Sequence, residues 1–355
     1  MTKYFFISGE VSGDMHAARL ICSLRTEYPD TCFVGLGGDH MQAAGCRLVR
    51  HISDMAFMGV ADVLMHLDKV IKNIRVAKQA LLEENPDVLV LVDYPTFNLK
   101  IAAWCRRVLP ETKIVYYIPP KVWAWKTWRV HRIARLCDRI LCIFPFEVEF
   151  YRSYGYKAEY VGNPTMETVD SVRQFERVCK TPYIAVLPGS RRHEITRCLP
   201  RMLEAALRQT GYEVVVAGIS TVDRSLYMKV IDDCKDPARV NIVFDKTFDV
   251  LRYASVAVVN SGTATLETAL IGTPQTAVYQ LYVGPLLYTL RSLVFKIPFF
   301  TLVNIIAGRE VIKEWLAYRF TVGNVAADLH DILTNTARRQ QMLTDYSDIR
   351  KALQG

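Results

Sequence analysis

YIAVLPGSRRHEI, residues 183–195, carries the reading on which the fold turns. Tyr183–Leu187 is an apolar run of strand length, Pro188 and Gly189 break it, and a helical pattern begins within a few residues. Strand, glycine turn and helix in immediate succession are the repeating unit of parallel α/β sheets. The same alternation runs outward in both directions. Toward the C-terminus further strands are read at Glu213–Ala217, Val240–Phe244, Val256–Val259 and Gln275–Tyr279. Toward the N-terminus they are read at Tyr4–Ile7, Cys32–Gly35, Val88–Val92, Ile114–Ile118 and Ile140–Ile143, with helical patterns near 13–27, 63–84, 97–108 and 126–136.

A chain of 355 residues exceeds the ~250–300 at which a single core stops growing, so the two series imply two domains. The break around Gly162-Asn163-Pro164 sets a boundary near 165. One Rossmann-like α/β domain is expected over 1–165 and a second over 166–335, with the last helical segment, about 336–355, free to pack on either. Two open parallel-sheet domains facing one another would place the carboxyl ends of their strands at an interdomain cleft, where such folds bind ligands.

Composition narrows the classes. Hydrophobic residues make up 51% and charged residues 23%, which excludes a disordered chain. The nine cysteines are scattered with no C-x-x-C pair, so free thiols are expected and a zinc module is not. No secretory leader is read, and Gly272, Pro274, Gly284 and Pro285 make the uncharged stretch 268–290 a poor membrane span. The net charge of +8 favours anionic partners: nucleic acid, acidic lipid or a phosphorylated substrate.

The chemistry-bearing residues lie just after strands. In LPGSR, 187–191, Gly189 permits close backbone approach, and Ser190, Arg191 and the helix amides form an anion site suited to a diphosphate. NSGTATLE, 260–267, repeats the arrangement with Ser261, Gly262 and Thr263, and Glu267 is placed to accept from a ribose diol. Glu10 and Asp14 in FFISGEVSGD, 5–14, argue against phosphate at that glycine turn. Asp93 in VDYPTFN, 92–98, can serve as a general base, or as an Asx-type turn ahead of Pro95. Trp123, Trp125 and Trp128 interleaved with Lys121, Lys126, Arg129, Arg132 and Arg135 suit stacked bases, a membrane interface or a packed core beside a solvated face. The helix pattern at 66–82 carries Lys69, Lys72, Arg75 and Lys78 on one edge, suited to an anionic bilayer or to water. The apolar stretch 282–300 reads as a buried helix or a lipid-facing one.

Taken together, SGEVSGD at 8–14, VGLGGDHMQAAG at 34–45, MGVADVL at 58–64, VDYPTFN at 92–98, VWAW at 122–125, PFE at 145–147, LPGSR at 187–191, SGTATLE at 261–267 and NIIAGRE at 304–310 resemble the bacterial lipid-A-disaccharide synthase family, in order and over nearly the whole chain. The resemblance implies a GT-B-type glycosyltransferase that joins UDP-2,3-diacylglucosamine to 2,3-diacylglucosamine 1-phosphate with inversion, releasing UDP. It implies no cofactor and no metal, a peripheral position at the cytoplasmic face of the inner membrane, no nucleic-acid partner, and leaves a homo-oligomer open. By motif, Asp93 is the candidate base with Glu10 as its rival, and Ser12 lies on the acceptor side. Gly189, Ser190 and Arg191 would hold the diphosphate, with Ser261, Gly262, Thr263, Glu267 and Asn304 around the rest of the nucleotide. Thr96, Asp62, Asn163 and Val303 depart from the family pattern, where Asp, Glu, His and Pro are usual. The competing readings are another GT-B UDP-sugar enzyme, such as a UDP-N-acetylglucosamine 2-epimerase or an N-acetylglucosaminyltransferase, and a basic nucleic-acid-binding protein.

Overall fold

The computed structural model describes residues 1–54, 67–124, 126–260, 262–280 and 298–354. MGVADVL with Asp62, Trp125, Ser261 and most of the apolar stretch 282–300 lie outside the described residues. The chain divides into two compact units, Met1–Gly162 and Asn163–Gly355.

The first unit runs β1 Thr2–Ser8, α1 Val11–Glu27, β2 Thr31–Gly37, α2 Asp39–Ala43, β3 Arg47–His51, α3 Leu67–Glu84, β4 Val88–Val92, α4 Pro95–Val108, β5 Lys113–Tyr117, α5 Arg129–Leu136, β6 Arg139–Cys142, α6 Pro145–Ser153 and β7 Glu159–Tyr160. Its strands form a parallel sheet in the order β3-β2-β1-β4-β5-β6-β7. The second unit runs α7 Pro164–Ser171, β8 Tyr183–Leu187, α8 Arg192–Leu207, β9 Glu213–Gly218, α9 Arg224–Asp232, β10 Val240–Phe244, α10 Thr247–Arg252, β11 Val256–Asn260, α11 Thr263–Ile271, β12 Gln275–Tyr279, α12 Leu302–Ala307, β13 Glu314–Leu316, α13 Val322–Thr334 and α14 Thr336–Ala352. Its sheet, also parallel, is ordered β10-β9-β8-β11-β12-β13.

Helices cover both faces of such sheets, so inner strands are apolar throughout rather than alternating. Every residue of β8 and of β11 is buried. In β4, Leu89, Val90, Leu91 and Val92 are buried as well. Three strands escape a reading by apolar runs: β3, β7 and β13. All three are sheet edges, where one flank faces away from the sheet and a short, charged sequence such as RLVRH is tolerated.

Each sheet reverses its winding once, between β1 and β4 in the first unit and between β8 and β11 in the second. A crevice forms outside the carboxyl ends of strands at such a switch point. Register sets what meets there. Ser8 pairs with Val92, so the Gly9–Glu10 turn and Asp93 leave the sheet side by side. Leu187 pairs with Val259, which brings Pro188 beside Asn260.

Candidate active site

At the first switch point the backbone is strained. Asp93 and Tyr94 both adopt left-handed conformations, with φ of 44° and 46°, which non-glycine residues rarely do. Such strain persists only where neighbours over-determine it. The Asp93 carbonyl accepts from the Tyr116 hydroxyl at 2.7 Å and from Asn98 Nδ2 at 2.7 Å, and Asn98 Nδ2 also donates to the Val92 carbonyl at 3.2 Å. Tyr116 and Asn98 are fully buried. The Tyr94 ring lies over Gly9, where an added Cβ would stand 2.4 Å from ring carbons, so only glycine fits there. Burial pushes the Asp93 carboxyl up from the ordinary Asp range, and the neighbouring charge of Glu10 adds to it, while Lys121 and the Tyr94 amide oppose.

Glu10 and Ser12 are exposed at the start of α1, where Glu10 is the N-cap residue. Asp14 is different. It is 1% exposed, and its carboxylate accepts from the amides of Gly38 at 2.6 Å, His40 at 3.0 Å and Met41 at 3.2 Å. This ties α1 to the turn that opens α2, so the second acid of SGEVSGD holds the fold while Glu10 faces solvent. A further carboxylate, which the sequence reading assigned no role, sits after β6. Glu147 of PFE is 3% exposed and its Oε1 accepts from Trp123 Nε1 at 3.0 Å. Burial raises its carboxyl to about 7 against the pull of that indole and of nearby backbone amides. Trp123 of VWAW and the PFE turn are therefore packed together, with Trp123 edge-on to Phe146. The signal that could have found Glu147 is its place in the first turn of a helix directly following a strand.

At the second switch point Gly189 has φ +105°, and an added Cβ would stand 2.3 Å from Glu194 Oε2. The amides of Ser190 and Arg191, expected from sequence to face an anion, donate to that Glu194 oxygen at 2.9 and 3.0 Å. Glu194 is the third residue of α8 and closes a capping box with Arg191. The sequence RRHE thus supplies its own anion to the turn. Asn260, at the end of β11, is 3% exposed and donates from Nδ2 to the Pro188 carbonyl at 2.8 Å, joining the two loops. Its Oδ1 is buried with no partner among the described residues. Asn260 stood in the quoted stretch without a role, and its position as the last residue of an inner strand was the available clue.

Gly262, with φ +120°, and Thr263 are exposed at the start of α11. Glu267 follows one turn later, half-buried, its carboxyl pushed up by burial alone. Asn304 is placed otherwise. It is 0% exposed. Its Nδ2 donates to the Ile312 carbonyl at 2.9 Å and to Glu314 at 3.0 Å, and its Oδ1 accepts from Val311 and Ile312 at 2.8 and 3.0 Å. That fills the hydrogen-bonding capacity of an amide, so Asn304 pins the loop between α12 and β13. Of the departures from the family pattern, Asn163 caps α7 by accepting from Met166 N at 3.1 Å, Thr96 is exposed in the first turn of α4, and Val303 is buried. All nine cysteines are free thiols.

Residues 4–355 match the family model described as lipid-A-disaccharide synthetase. The chain is 37% identical over 362 residues to a lipid-A-disaccharide synthase of Myxococcus xanthus, covering 99% of this chain and 93% of that one. It is 35% identical over 364 residues to the Koribacter versatilis protein of the same name, with 100% and 94% covered. Among solved structures it is similar to an S. aureus MnaA–UDP co-structure, at TM-score 0.65 and 12% identity with 99% and 94% covered. It is also similar to CalG4, a calicheamicin glycosyltransferase, at TM-score 0.63 and 14% identity with 99% and 95% covered. At those identities the structural likeness speaks for the fold, two parallel-sheet α/β domains of GT-B type. The sequence matches over the full length decide the rest: the chain belongs to the lipid-A-disaccharide synthase family of glycosyltransferases.

Proposed function

We propose that the chain joins UDP-2,3-diacylglucosamine to 2,3-diacylglucosamine 1-phosphate, with Asp93 as the general base. The observation that carries the assignment is the Asp93 carboxyl itself, raised by burial and by Glu10 on a backbone clamped by Tyr116 and Asn98. A base that removes a hydroxyl proton works best when its pKa lies nearer the working pH than that of a free carboxylate. Asp93 takes the proton of the acceptor 6-hydroxyl, and the resulting oxygen attacks C1 of the donor sugar. The C1–O bond to UDP breaks as the new glycosidic bond forms, and the configuration inverts. Glu10 and Ser12 serve the acceptor side.

In the second unit the donor's diphosphate occupies the turn of Gly189, Ser190 and Arg191, displacing Glu194 from their amides. Ser261, Gly262 and Thr263 take the other nucleotide contacts, and Glu267 accepts from the ribose. Asn304 acts through the shape of its loop. Residues 1–162 therefore serve the acceptor and 163–355 the donor. Among the described residues no helix is long and apolar enough to cross a membrane, and the reading places the chain peripherally at the cytoplasmic face of the inner membrane, on an anionic surface.

The test is disaccharide formation from both purified diacyl substrates. Asp93→Asn should lower turnover by roughly 10²–10⁴-fold, the range for losing a general base, with UDP binding preserved. Product formation near the wild-type rate would remove Asp93 from the role.

A further inference from the structure

Helices α3, α4 and α5 lie on one face of the first sheet and share a core there through Ala77, Leu81, Ile101, Ala102, Val130 and Ile133. On their outer side they enclose an open cavity of about 420 Å³. Arg75, Lys78, Lys100, Arg107 and Arg132 line it, and among the described residues no carboxylate does. Other cations of this unit are paired with acids, Arg139 with Glu159, Arg152 with Glu149 and Arg106 with Asp138. Gathering five cations around one groove without an acid raises the local potential and opposes folding, and a bound anion removes that cost.

The rest of the lining says what kind of anion. Trp104 forms an aromatic wall with the Lys78 ammonium 5.6 Å from its ring centre. Ile71, at 49% exposure, and Ile74 add apolar surface at one side. Cations, one indole and exposed isoleucine side by side match an amphiphile whose phosphate meets the basic groups while its less polar part meets Trp104 and Ile71. A polynucleotide needs successive aromatic platforms for its bases, and among the described residues this groove has one, Trp104. We propose that the groove between α3, α4 and α5 binds the phosphate headgroup of an anionic membrane phospholipid and seats the first unit on the bilayer. The inference deepens the surface association proposed above and is independent of which residue is the catalytic base.

The test uses the full-length chain and the triple variant Arg75→Glu, Lys100→Glu, Arg107→Glu, whose three positions are exposed and compatible with folding. Co-sedimentation is measured with vesicles of phosphatidylcholine alone and with vesicles containing phosphatidylglycerol. Wild type should bind the phosphatidylglycerol vesicles far better than the neutral ones, weakening as salt rises. The triple variant should lose about 100-fold or more in that affinity, from the worth of three basic residues at an anionic surface. Its melting temperature and its turnover on detergent-dispersed substrates should stay at wild-type values. Trp104 fluorescence in Trp104→Phe against wild type should account for the blue shift on vesicle binding. Equal vesicle affinity of variant and wild type would overturn the proposal. So would wild-type binding to neutral vesicles as strong as to anionic ones, tighter binding of single-stranded DNA that is lost in the triple variant, or full competition by millimolar inorganic phosphate. Failure of the transferase reading would appear separately, as absence of disaccharide in detergent.

Discussion

At the residue scale the site is built on one difficult backbone conformation. Two consecutive left-handed, non-glycine residues cost of order 1–3 kcal/mol each, and the Tyr116 hydroxyl, the Asn98 amide and the Tyr94–Gly9 contact hold them in place. The same geometry keeps the Asp93 carboxyl partly out of water and near Glu10. Its protonation is therefore coupled to that neighbour, with a definite sign. Asp93 must be ionised to act, so activity falls as pH drops through its pKa, which burial and Glu10 both raise. Glu10→Gln removes one negative charge and leaves the burial. The acid limb of the kcat/KM profile should then move to lower pH by a few tenths of a unit up to about one unit, with the plateau largely kept. If Glu10 is the base instead, the same variant abolishes the plateau, and the pH profile separates the two.

At the element scale, strand register does most of the positioning. Ser8 beside Val92 and Leu187 beside Val259 bring together pairs of loops 84 and 72 positions apart, and in the second unit the Pro188–Asn260 contact joins them. The inner strands and the loops after them were legible in the sequence, because strands covered on both faces are unbroken apolar runs and the glycines that end them are conspicuous. The edge strands β3, β7 and β13 were not, since they lack that apolar signature, whereas the edge strand β10 was read at Val240–Phe244. Partners distant in sequence were also hidden: Asp14 with Gly38, Trp123 with Glu147 and Asn260 with Pro188 are visible only after the sheet is assembled. Glu194 was hidden for a different reason. Its role as the capping partner of Arg191 is local, but it competes with the anion that the same turn was read to bind. Glu194→Gln keeps a capping-box residue and removes the charge. UDP affinity measured by calorimetry should rise roughly threefold to tenfold, the scale of one charge at a helix N-terminus. Unchanged or weaker UDP binding would mean that the diphosphate does not use these amides.

At the scale of the whole molecule, each unit has its own sheet and buried core, but the second is closed by the last element of the chain. Helix α14 buries Met342, Tyr346 and Ile349, and Leu353 just beyond it is buried too. Asp345, 4% exposed at the side chain, takes Arg309 in a bidentate pair at 2.7 Å for each bond, and Arg338 pairs with Asp328 of α13. Arg350 reaches back to Asp170 of α7 and to the Leu270 carbonyl at the end of α11, so the helix ties the first helix of the unit to its centre. Four large apolar side chains at about 1.5–3 kcal/mol each amount to roughly 6–12 kcal/mol, close to the whole stability of an ordinary domain. Their loss should therefore be decisive for this unit and irrelevant to the core of the other. Calorimetry of the chain ending at Asn335 should show the transition of the first unit retained and that of the second lost or lowered by more than about 10 °C, with UDP binding gone. An unchanged melting profile in the truncated chain would show that α14 is an accessory to the second unit and not part of its fold.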